Sequence, residues 1–261
     1  MFKHPEIGRM GHIGALVAGH GWAEGNAGNM SVRLEGKLKA PRAARGAAAV
    51  DMKLAFPGLA GKRFLVTATG GRMRDIERLP ARTLVLAEIL PGGGSYRILW
   101  GSGRPTSEFI CHLAVHDVCA EAHPEMRAVL HVHSPHLIAL SHLSRLQTSP
   151  AFADALRRVH PEGCVLLGLA GLSFVPFMVG STPPLAQATR EALRDHELAM
   201  WSMHGLVVRA TDLEGALDRA EMAERAAELY LLRLAADPKA RGLSDEQVAA
   251  LRAVFFPRTG R

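Results

Sequence analysis

The 261-residue chain has little cysteine, few aromatic residues and no long apolar run. Its three cysteines form an odd and sparse set, which argues against a disulfide framework and for a reducing compartment. The apolar runs fall far short of the roughly 18 residues that a membrane span needs. The first residues also lack the apolar core of a secretory signal. We therefore expect a cytoplasmic protein without a membrane segment.

Lysine is scarce as well, and the basic charge comes mostly from arginine. The 31 basic and 25 acidic residues give a formal net charge of +6. The arginines are scattered singly apart from Arg157-Arg158, so there is no basic arm of the kind that binds DNA. With 2 Tyr and 3 Trp, a stacking platform for single-stranded nucleic acid is not expected either. The 13 histidines are the more promising feature, since histidine is the commonest metal ligand and acid-base group.

Hydrophobic periodicity predicts strands and helices that alternate along one continuous domain spanning residues 1–261. Strands are expected at 30–34, 64–69, 84–90, 96–100, 128–133, 164–169, 173–179 and 199–209, the last with a turn at His204-Gly205. Helices are expected at 6–22, 106–122, 135–143, 185–194, 212–236 and 244–254. Residues 35–62 are rich in Gly, Ala, Lys, Arg and Pro, so we expect a loop or mobile flap there. This pattern indicates an α/β fold whose central, mainly antiparallel sheet is flanked by helices.

The segment His131-Val132-His133 is the sharpest chemical signal. In a strand, residues i and i+2 project from the same face, so both imidazoles could bind one metal ion. The alternative is a pair of histidines on a solvated strand face. His204 lies in an apolar stretch and is the best candidate for a third ligand. Taken alone, His204 would be a core histidine hydrogen-bonded to a backbone carbonyl.

Glu108 stands where the predicted helix 106–122 begins, with Thr106 or Ser107 expected to cap that helix. An acidic residue in a first turn is often only a partner of the helix dipole. Next to a metal, the same carboxylate could be a fourth ligand or a general base. His112 follows one turn later and could hydrogen-bond Glu108 and orient it. His112 and His116 could instead bind a metal themselves, as an i, i+4 pair.

Three turns carry groups that could hold an anion. They are residues 25–31, which include Asn26 and Asn29, residues 67–71, which include Thr69 and Gly70, and the hydroxyls of Thr106-Ser107. Small residues in such turns expose backbone N–H groups, and a helix N-terminus favours negative charge. Each turn alone is a weak signal. Together with three candidate metal ligands, they favour a small phosphorylated molecule over nucleic acid.

The order of these motifs resembles the class II aldolase/adducin family of zinc-dependent sugar-phosphate enzymes, over about residues 22–232. The resemblance rests on segments 25–29, 64–70, 96–101, 105–108, 131–140, 175–179 and 201–205. Trp100-Gly101 and Trp201 favour the rhamnulose-phosphate branch of the family over the fuculose-phosphate branch. One departure concerns the second acidic residue of that branch. Gly163 occupies its place here, and Glu162 is the neighbouring residue.

The resemblance implies a three-layer α/β/α fold, a homotetramer with active sites at subunit interfaces, and one Zn²⁺ or other divalent ion per subunit. His131, His133 and His204 would hold the ion, and Glu108 would ligate the resting metal and act as the base. The resemblance leaves open which acid handles the aldehyde half, because Gly163 stands at its position, and the neighbouring Glu162 is the candidate. The implied phosphate site consists of Asn26, Asn29, Thr69, Gly70, Thr106 and Ser107.

The implied reaction is the reversible cleavage of a ketose 1-phosphate such as L-rhamnulose 1-phosphate. The products would be dihydroxyacetone phosphate and an aldehyde such as L-lactaldehyde, formed through a metal-stabilised enediolate. A pentulose-phosphate 4-epimerase or a methylthioribulose-phosphate dehydratase of the same family remains an alternative. A non-catalytic adducin-like interaction domain and a purely structural zinc site are others. In a tetramer, Glu162 or Tyr230 could reach the active site of a neighbouring subunit.

Overall fold

A single nine-stranded sheet organises the part of the chain that this computed structural model describes, residues 3–36 and 48–255. The strands are β1 Asn29–Leu34, β2 Val50–Asp51, β3 Arg63–Thr67, β4 Leu84–Ile89, β5 Ser95–Trp100, β6 Ala128–Val132, β7 Leu172–Val175, β8 Leu198–Trp201 and β9 Gly205–Ala210. Their order across the sheet is β2-β5-β4-β3-β1-β6-β9-β8-β7. Only β7 and β8 pair in parallel, and every other pair of neighbours is antiparallel. The predicted hairpin of β4 and β5 is among these pairs.

Helices cover both faces of the sheet. They are α1 Pro5–Gly19, α2 Pro80–Thr83, α3 Phe109–Ala122, α4 Pro135–Ser141, α5 Ser149–Arg157, α6 Pro161–Ala170, α7 Pro183–Ala192, α8 Leu213–Ala236 and α9 Asp245–Phe255. One buried cluster joins the sheet to α1, α4, α5, α6 and α8, and a second joins it to α3 and α7. Along β4, Leu84 and Leu86 belong to the first cluster, while Val85 and Ala87 belong to the second. These two cores confirm the predicted α/β fold with a mainly antiparallel sheet between helices.

Strand alternation decides which side chains meet α3. On β6, Leu130 and Val132 face the α1 and α8 side, whereas Val129 faces α3. His131 therefore points to the α3 side of the sheet. In the antiparallel pairing of β1 with β6, Asn29 lies opposite His131 and Ser31 lies opposite Val129. The polar side chains of Asn29, Ser31 and His131 therefore lie on the face of the sheet that packs against α3.

The structure corrects several predicted elements. Residues 164–169 are not a strand but belong to α6, which has Pro161 at its first position and ends at Gly171 with φ 64°. A short apolar run cannot be assigned by periodicity alone, and the flanking proline and glycine were the better signals. The predicted strand 173–179 shortens to β7, and α5 was not predicted.

The predicted strand 199–209, with its expected turn at His204-Gly205, is a hairpin of β8 and β9. Its chain reversal lies slightly earlier than expected and includes Met203 at φ 60°. Of the expected flap, residues 48–62 contain β2 and a 3₁₀ turn at Pro57–Leu59. Residues 37–47 of that flap lie outside the described residues. No helix within 3–36 and 48–255 is both long and apolar enough to cross a membrane.

Candidate active site

The three histidines singled out in the sequence converge on one point. His131 lies on β6, His133 follows directly after that strand, and His204 lies in the β8–β9 turn. One imidazole nitrogen of each ring lies within 4.8 Å of the other two. Tertiary structure thus brings together residues that are more than 70 positions apart in the chain, in an arrangement that could share one metal ion.

Gly205 allows this convergence because it leaves room for the neighbouring strand. A Cβ at this position would lie 2.5 Å from the carbonyl oxygen of Val132 and 2.8 Å from Cε1 of His131. Real Cβ contacts are not that short, so any larger residue would push β9 away from β6. The glycine after His204 therefore sets the distance between two candidate ligands.

We expect Gly205→Ala to destabilise the fold by about 1–3 kcal/mol, the usual cost of overpacking a buried site. It should also weaken metal binding, because the strand that carries His131 and the turn that carries His204 are forced apart. Urea unfolding and metal titration measure the two effects. Gly8→Ala is the matched control, since nothing lies within 4 Å of a Cβ at Gly8. A Gly205→Ala protein as stable as the wild type would contradict this interpretation.

The second ring nitrogens of His131 and His133 fix the orientation of both imidazoles. Nδ1 of His131 donates to the carbonyl oxygen of Leu206 at 3.0 Å, and Nδ1 of His133 pairs with the Glu24 carboxylate at 2.8 Å. Metal-binding histidines are held in this way by carbonyl and carboxylate acceptors. Among the described residues, Nε2 of His131 is buried without a hydrogen-bond partner, which is the kind of atom that a bound metal satisfies. The donor set therefore fits a metal ion.

Burial also keeps these rings in the form that binds metal. It lowers the pKa of His131 to about 3, with the nearby Glu108 charge only partly opposing the effect. The pKa of His204 is lowered too, again chiefly by burial. A neutral imidazole has the lone pair that a metal needs, whereas an imidazolium has none.

Glu108 lies between two of the histidines. Its Oε2 is 3.5 Å from Nε2 of His131, and its Oε1 is 3.4 Å from Nε2 of His204. Nδ2 of Asn29 donates a hydrogen bond of 2.8 Å to Oε2. Burial raises the pKa of this carboxyl, but the proximity of His131 and the hydrogen bond from Asn29 lower it by more, so the net shift is downward. The site thus holds a buried, ionised carboxylate beside the candidate metal ligands.

Two expectations around Glu108 need correction. Glu108 occupies the N-cap position of α3 rather than its first turn, and neither Thr106 nor Ser107 caps the helix. The His112 side chain makes no direct hydrogen bond to the Glu108 carboxylate. Its Nε2 instead faces Oδ1 of Asn29, which is the residue that contacts the carboxylate. Because Asn29 connects His112 to Glu108, only one of its N–H groups is left for a phosphate.

A cavity of about 190 Å³ opens beside the histidines and Glu108. Its lining consists of Asn26, Ala27, Gly28, Asn29, Thr67, Ala68, Thr69, Gly70, Gly71, Thr106, Ser107, Glu108, His133 and His204. All six residues expected around a phosphate are therefore brought to one place. Thr69 is nevertheless not a free donor, because its hydroxyl donates to Pro105 at 2.6 Å and its amide donates to Arg104 at 2.8 Å.

Glu162 is the predicted site residue that the structure leaves apart from the others. It is exposed in the first turn of α6 and does not line the cavity. Tyr230 is buried in the α8 core, so it is not presented to a neighbouring subunit. The predicted role of Glu162 as an acid therefore depends on a second subunit.

Sequence reasoning missed two residues that support the metal site. Glu24 holds His133 across more than 100 residues, and nothing in the local sequence indicated that pairing. The Trp201 ring lies 4.7 Å from the His131 ring and 5.1 Å from the His204 ring, measured between centroids. The signal available in the sequence was Trp201 in an apolar stretch shortly before His204, a position from which its ring could pack against the candidate ligands.

The buried histidines predict an acid-sensitive fold. Burial lowers the pKa of His112 to about 4 and of His131 to about 3, and it lowers that of His116 well below 6.5. As the pH falls below about 6.5, the unfolded chain binds protons that the folded chain excludes. Each buried ring should then remove up to about 1.4 kcal/mol of stability per pH unit, until its folded pKa is reached.

Urea unfolding of the metal-free protein at pH 7, 6 and 5 measures this loss. Replacement of the exposed His12 by glutamine is the control and should leave the slope unchanged. Equal stability at pH 7 and pH 5 would contradict the prediction.

Comparison with known proteins agrees with this geometry. The family model described as "Class II Aldolase and Adducin N-terminal domain" matches residues 9–231. The chain is 34% identical to a rhamnulose-1-phosphate aldolase from Yersinia pestis (strain Pestoides F) over 242 residues, which cover 90% of this chain and 88% of that protein.

Two solved structures are also similar. A sugar-phosphate aldolase from Thermotoga maritima superposes with a TM-score of 0.77 at 32% identity, covering 88% of this chain and 95% of that one. An L-fuculose-1-phosphate aldolase from Thermus thermophilus shares the fold, with a TM-score of 0.60 at 21% identity and coverage of 90% and 97%. The protein belongs to the class II aldolase and adducin family.

Proposed function

We propose that the protein is a metal-dependent aldolase that reversibly cleaves a ketose 1-phosphate to dihydroxyacetone phosphate and an aldehyde. The observation that carries the proposal is the buried Glu108 carboxylate, which lies 3.4–3.5 Å from the Nε2 atoms of His204 and His131. It lines a cavity whose backbone N–H and hydroxyl groups could bind an anion. The named activity of the Yersinia relative supports L-rhamnulose 1-phosphate as substrate and L-lactaldehyde as the aldehyde.

Zinc is the metal that we propose for the three histidines. Imidazole ligands suit zinc, and three protein ligands leave a coordination position open for substrate. When bound, such an ion supplies Lewis-acid chemistry that polarises the carbonyl of the ketose. The chain's own contribution is to hold His131 and His133 in fixed orientations through Leu206 and Glu24.

Glu108 carries the proton in this proposal. In the cleavage direction the hydroxyl of the carbon that becomes the aldehyde loses its proton as the C–C bond breaks. Glu108, which is ionised at first, takes up a proton in exchange and delivers it to the carbon that becomes the hydroxymethyl group of dihydroxyacetone phosphate. In the addition direction, the ionised carboxylate takes that proton back. Asn29 keeps Oε2 of Glu108 in place through its 2.8 Å hydrogen bond. Burial excludes water, which would otherwise protonate the carbanion equivalent at random.

Neutral donors bind the phosphate group in this proposal, since the cavity lining contains neither Lys nor Arg. Within the described residues, the Gly70 amide and the Ser107 hydroxyl make no hydrogen bond, so both are free to donate to a phosphate. Gly70 has φ 73°, a conformation that lets its amide join a nest of N–H groups. Asn26 and Thr106 line the same cavity, and Thr69 contributes by shaping the turn rather than by donating.

We further propose that the site is completed in a homotetramer, where Glu162 of a neighbouring subunit handles the aldehyde half. Glu162 is exposed and outside its own subunit's cavity. Phe177, Val179 and Met203 are 66%, 67% and 42% exposed. Phe177 and Val179 precede Gly180, whose Cβ position lies 3.5 Å from Glu108 and His204, and Met203 precedes His204, so exposed apolar side chains border the site.

Mixing experiments test the shared site. Hybrids of inactive Glu108→Gln and Glu162→Gln subunits should regain part of the wild-type activity, because some interfaces receive one intact residue from each subunit. Hybrids that stay inactive, or a Glu162→Gln protein with full activity, would rule out this role for Glu162.

The test of the proposed reaction is an assay with L-rhamnulose 1-phosphate on zinc-loaded protein, with dihydroxyacetone phosphate detected by its enzymatic reduction. We expect release of dihydroxyacetone phosphate that stops when a chelator removes the metal. A zinc-loaded protein that releases none, but interconverts pentulose phosphates or dehydrates a thioribulose phosphate, would establish one of the alternatives. Failure to take up any metal would favour a non-catalytic domain.

The three cysteines are free and buried, which supports the proposal of a reducing, cytoplasmic setting.

A further inference from the structure

A row of buried polar side chains leads from Glu108 away from the cavity and under α3. Asn29 contacts Glu108, and the His112 ring contacts Oδ1 of Asn29. Ser31 lies next, with its Oγ 2.7 Å from Nδ1 of His112. The same Oγ is 2.8 Å from Nε2 of His116. The proposed reaction uses only the first of these residues directly, which leaves three buried polar groups without a role.

These groups lie in a mostly apolar layer, in which the buried Arg33 is a further polar neighbour. Ser31 and His116 are fully buried, and His116 packs 4.9 Å from the ring of Phe64, measured between centroids. Burying polar side chains is unfavourable unless their hydrogen bonds are satisfied. An apolar residue at either position would fill the layer equally well, so the packing alone does not explain a serine and a histidine here.

The ionised Glu108 determines which group donates and which accepts in each hydrogen bond of this row. An ionised carboxylate only accepts, so the group of Asn29 that faces Oε2 must be its NH₂. Oδ1 of Asn29 then faces His112, and Nε2 of His112 must carry the proton. A neutral His112 leaves Nδ1 as an acceptor, and the Ser31 hydroxyl donates to it.

His116 completes the same sequence of donors. The Ser31 hydroxyl directs its O–H towards Nδ1 of His112, so its oxygen accepts from Nε2–H of His116. Nδ1 of His116 is then unprotonated, and it has no hydrogen-bond partner. Every donor in the row therefore points towards Glu108, and such aligned bonds polarise one another.

We propose that Ser31 and His116 are positioning residues for Glu108, acting through one tautomer of His112 and one orientation of the Asn29 amide. The proposal rests on the proposed function of Glu108 in proton transfer. The row cannot conduct protons, since an amide does not pass a proton from its NH₂ to its oxygen in one step. Its effect is to hold the carboxylate where the reacting carbon will be and to keep its second oxygen free.

The first experiment reads the tautomers directly and does not depend on catalysis. Long-range ¹H–¹⁵N correlation spectra of metal-free protein at neutral pH should show His112 and His116 as neutral Nε2–H tautomers. In Ser31→Ala, the Nδ1 resonance of His112 should lose its hydrogen-bond shift. The side-chain amide protons of Asn29 should also exchange faster with solvent. A Nδ1–H tautomer of His112, or an Asn29 amide unaffected by Ser31→Ala, would overturn the proposal.

The second experiment separates positioning from packing by kinetics. Ser31→Ala should lower kcat about tenfold, as expected for the loss of one hydrogen bond of about 1.4 kcal/mol. KM and metal content should stay within twofold, because neither the cavity nor the three ligands change. Ser31→Thr keeps the hydroxyl and should recover most of the rate. Ser173→Ala is the matched control, a buried serine of β7 outside this row.

Equal kcat for Ser31→Ala and the wild type would overturn the positioning role. So would parallel losses of kcat, metal and folded protein that Ser31→Thr does not repair. If no aldolase substrate is turned over, the proposed function fails, while the tautomers and the Asn29 exchange still decide whether the row orients Glu108.

Discussion

Replacement of His131 by alanine is expected to abolish tight metal binding and to lower kcat by about 10³-fold or more. A bound metal contributes several kcal/mol of charge stabilisation, and a factor of 10³ corresponds to about 4 kcal/mol. His131 is the most buried of the three ligands, and its Nε2 has no hydrogen-bond partner. No described residue therefore stands ready to compensate for its loss.

The same variant should stay folded. His131 lies between two large apolar clusters that account for most of the buried side chains, and neither depends on the imidazole. Metal content, circular dichroism and the unfolding temperature measure these effects. His142→Ala is the control, since His142 is exposed at the end of α4. An unfolded His131→Ala protein would indicate a structural zinc site instead, and a fully active one would contradict the assigned ligand.

Glu108→Gln is expected to lower kcat by about 10²–10⁴-fold, the usual contribution of a general acid-base group. Glutamine has the same shape and still accepts from Asn29, but it cannot take up a proton. Because the three histidines remain, metal content and KM for the sugar phosphate should change little. Steady-state kinetics and metal analysis test this result directly.

Glu24→Gln gives the contrasting control. Glu24 orients His133 through its 2.8 Å contact with Nδ1 and does not line the cavity. Loss of such a partner typically weakens metal binding by about 10–100-fold, so excess zinc should restore the rate of this variant. Zinc should not restore the rate of Glu108→Gln. A Glu108→Gln protein rescued by zinc would mean that Glu108 acts only as a ligand.

Much of the framework was readable in the sequence because it depends on local pattern. The alternation of apolar residues predicted β6 correctly. Because His131 and His133 are two residues apart, the same pattern predicted that their side chains project from one face of the strand. Proline and glycine around residues 91–94 indicated the β4–β5 hairpin correctly. The apolar run 164–169 failed because a short run has no period that separates strand from helix, and α6 formed there.

The hydrogen bonds of the site could not be predicted in the same way. The i, i+4 spacing suggested that His112 contacts Glu108, but β1 inserts Asn29 between them. Thr69 was a reasonable phosphate donor until the fold turned its hydroxyl towards Pro105. In both cases the hydrogen-bond partner comes from a segment distant in sequence, Asn29 for His112 and Pro105 for Thr69, and local spacing cannot predict such a partner.

The sequence by itself determined the family, the mainly antiparallel α/β architecture and the set of histidines, because residue type and spacing are local properties. Only the tertiary structure decided what these residues can do together. The pairing of β1 with β6 brings Asn29 opposite His131, Gly205 at the start of β9 lies against the His131 ring, and the start of α3 places Glu108 beside them. Burial in that layer lowers the pKa of His112, His116 and His131, and the hydrogen bond from Asn29 favours the charged form of Glu108, because desolvation penalises every charge that lacks a partner.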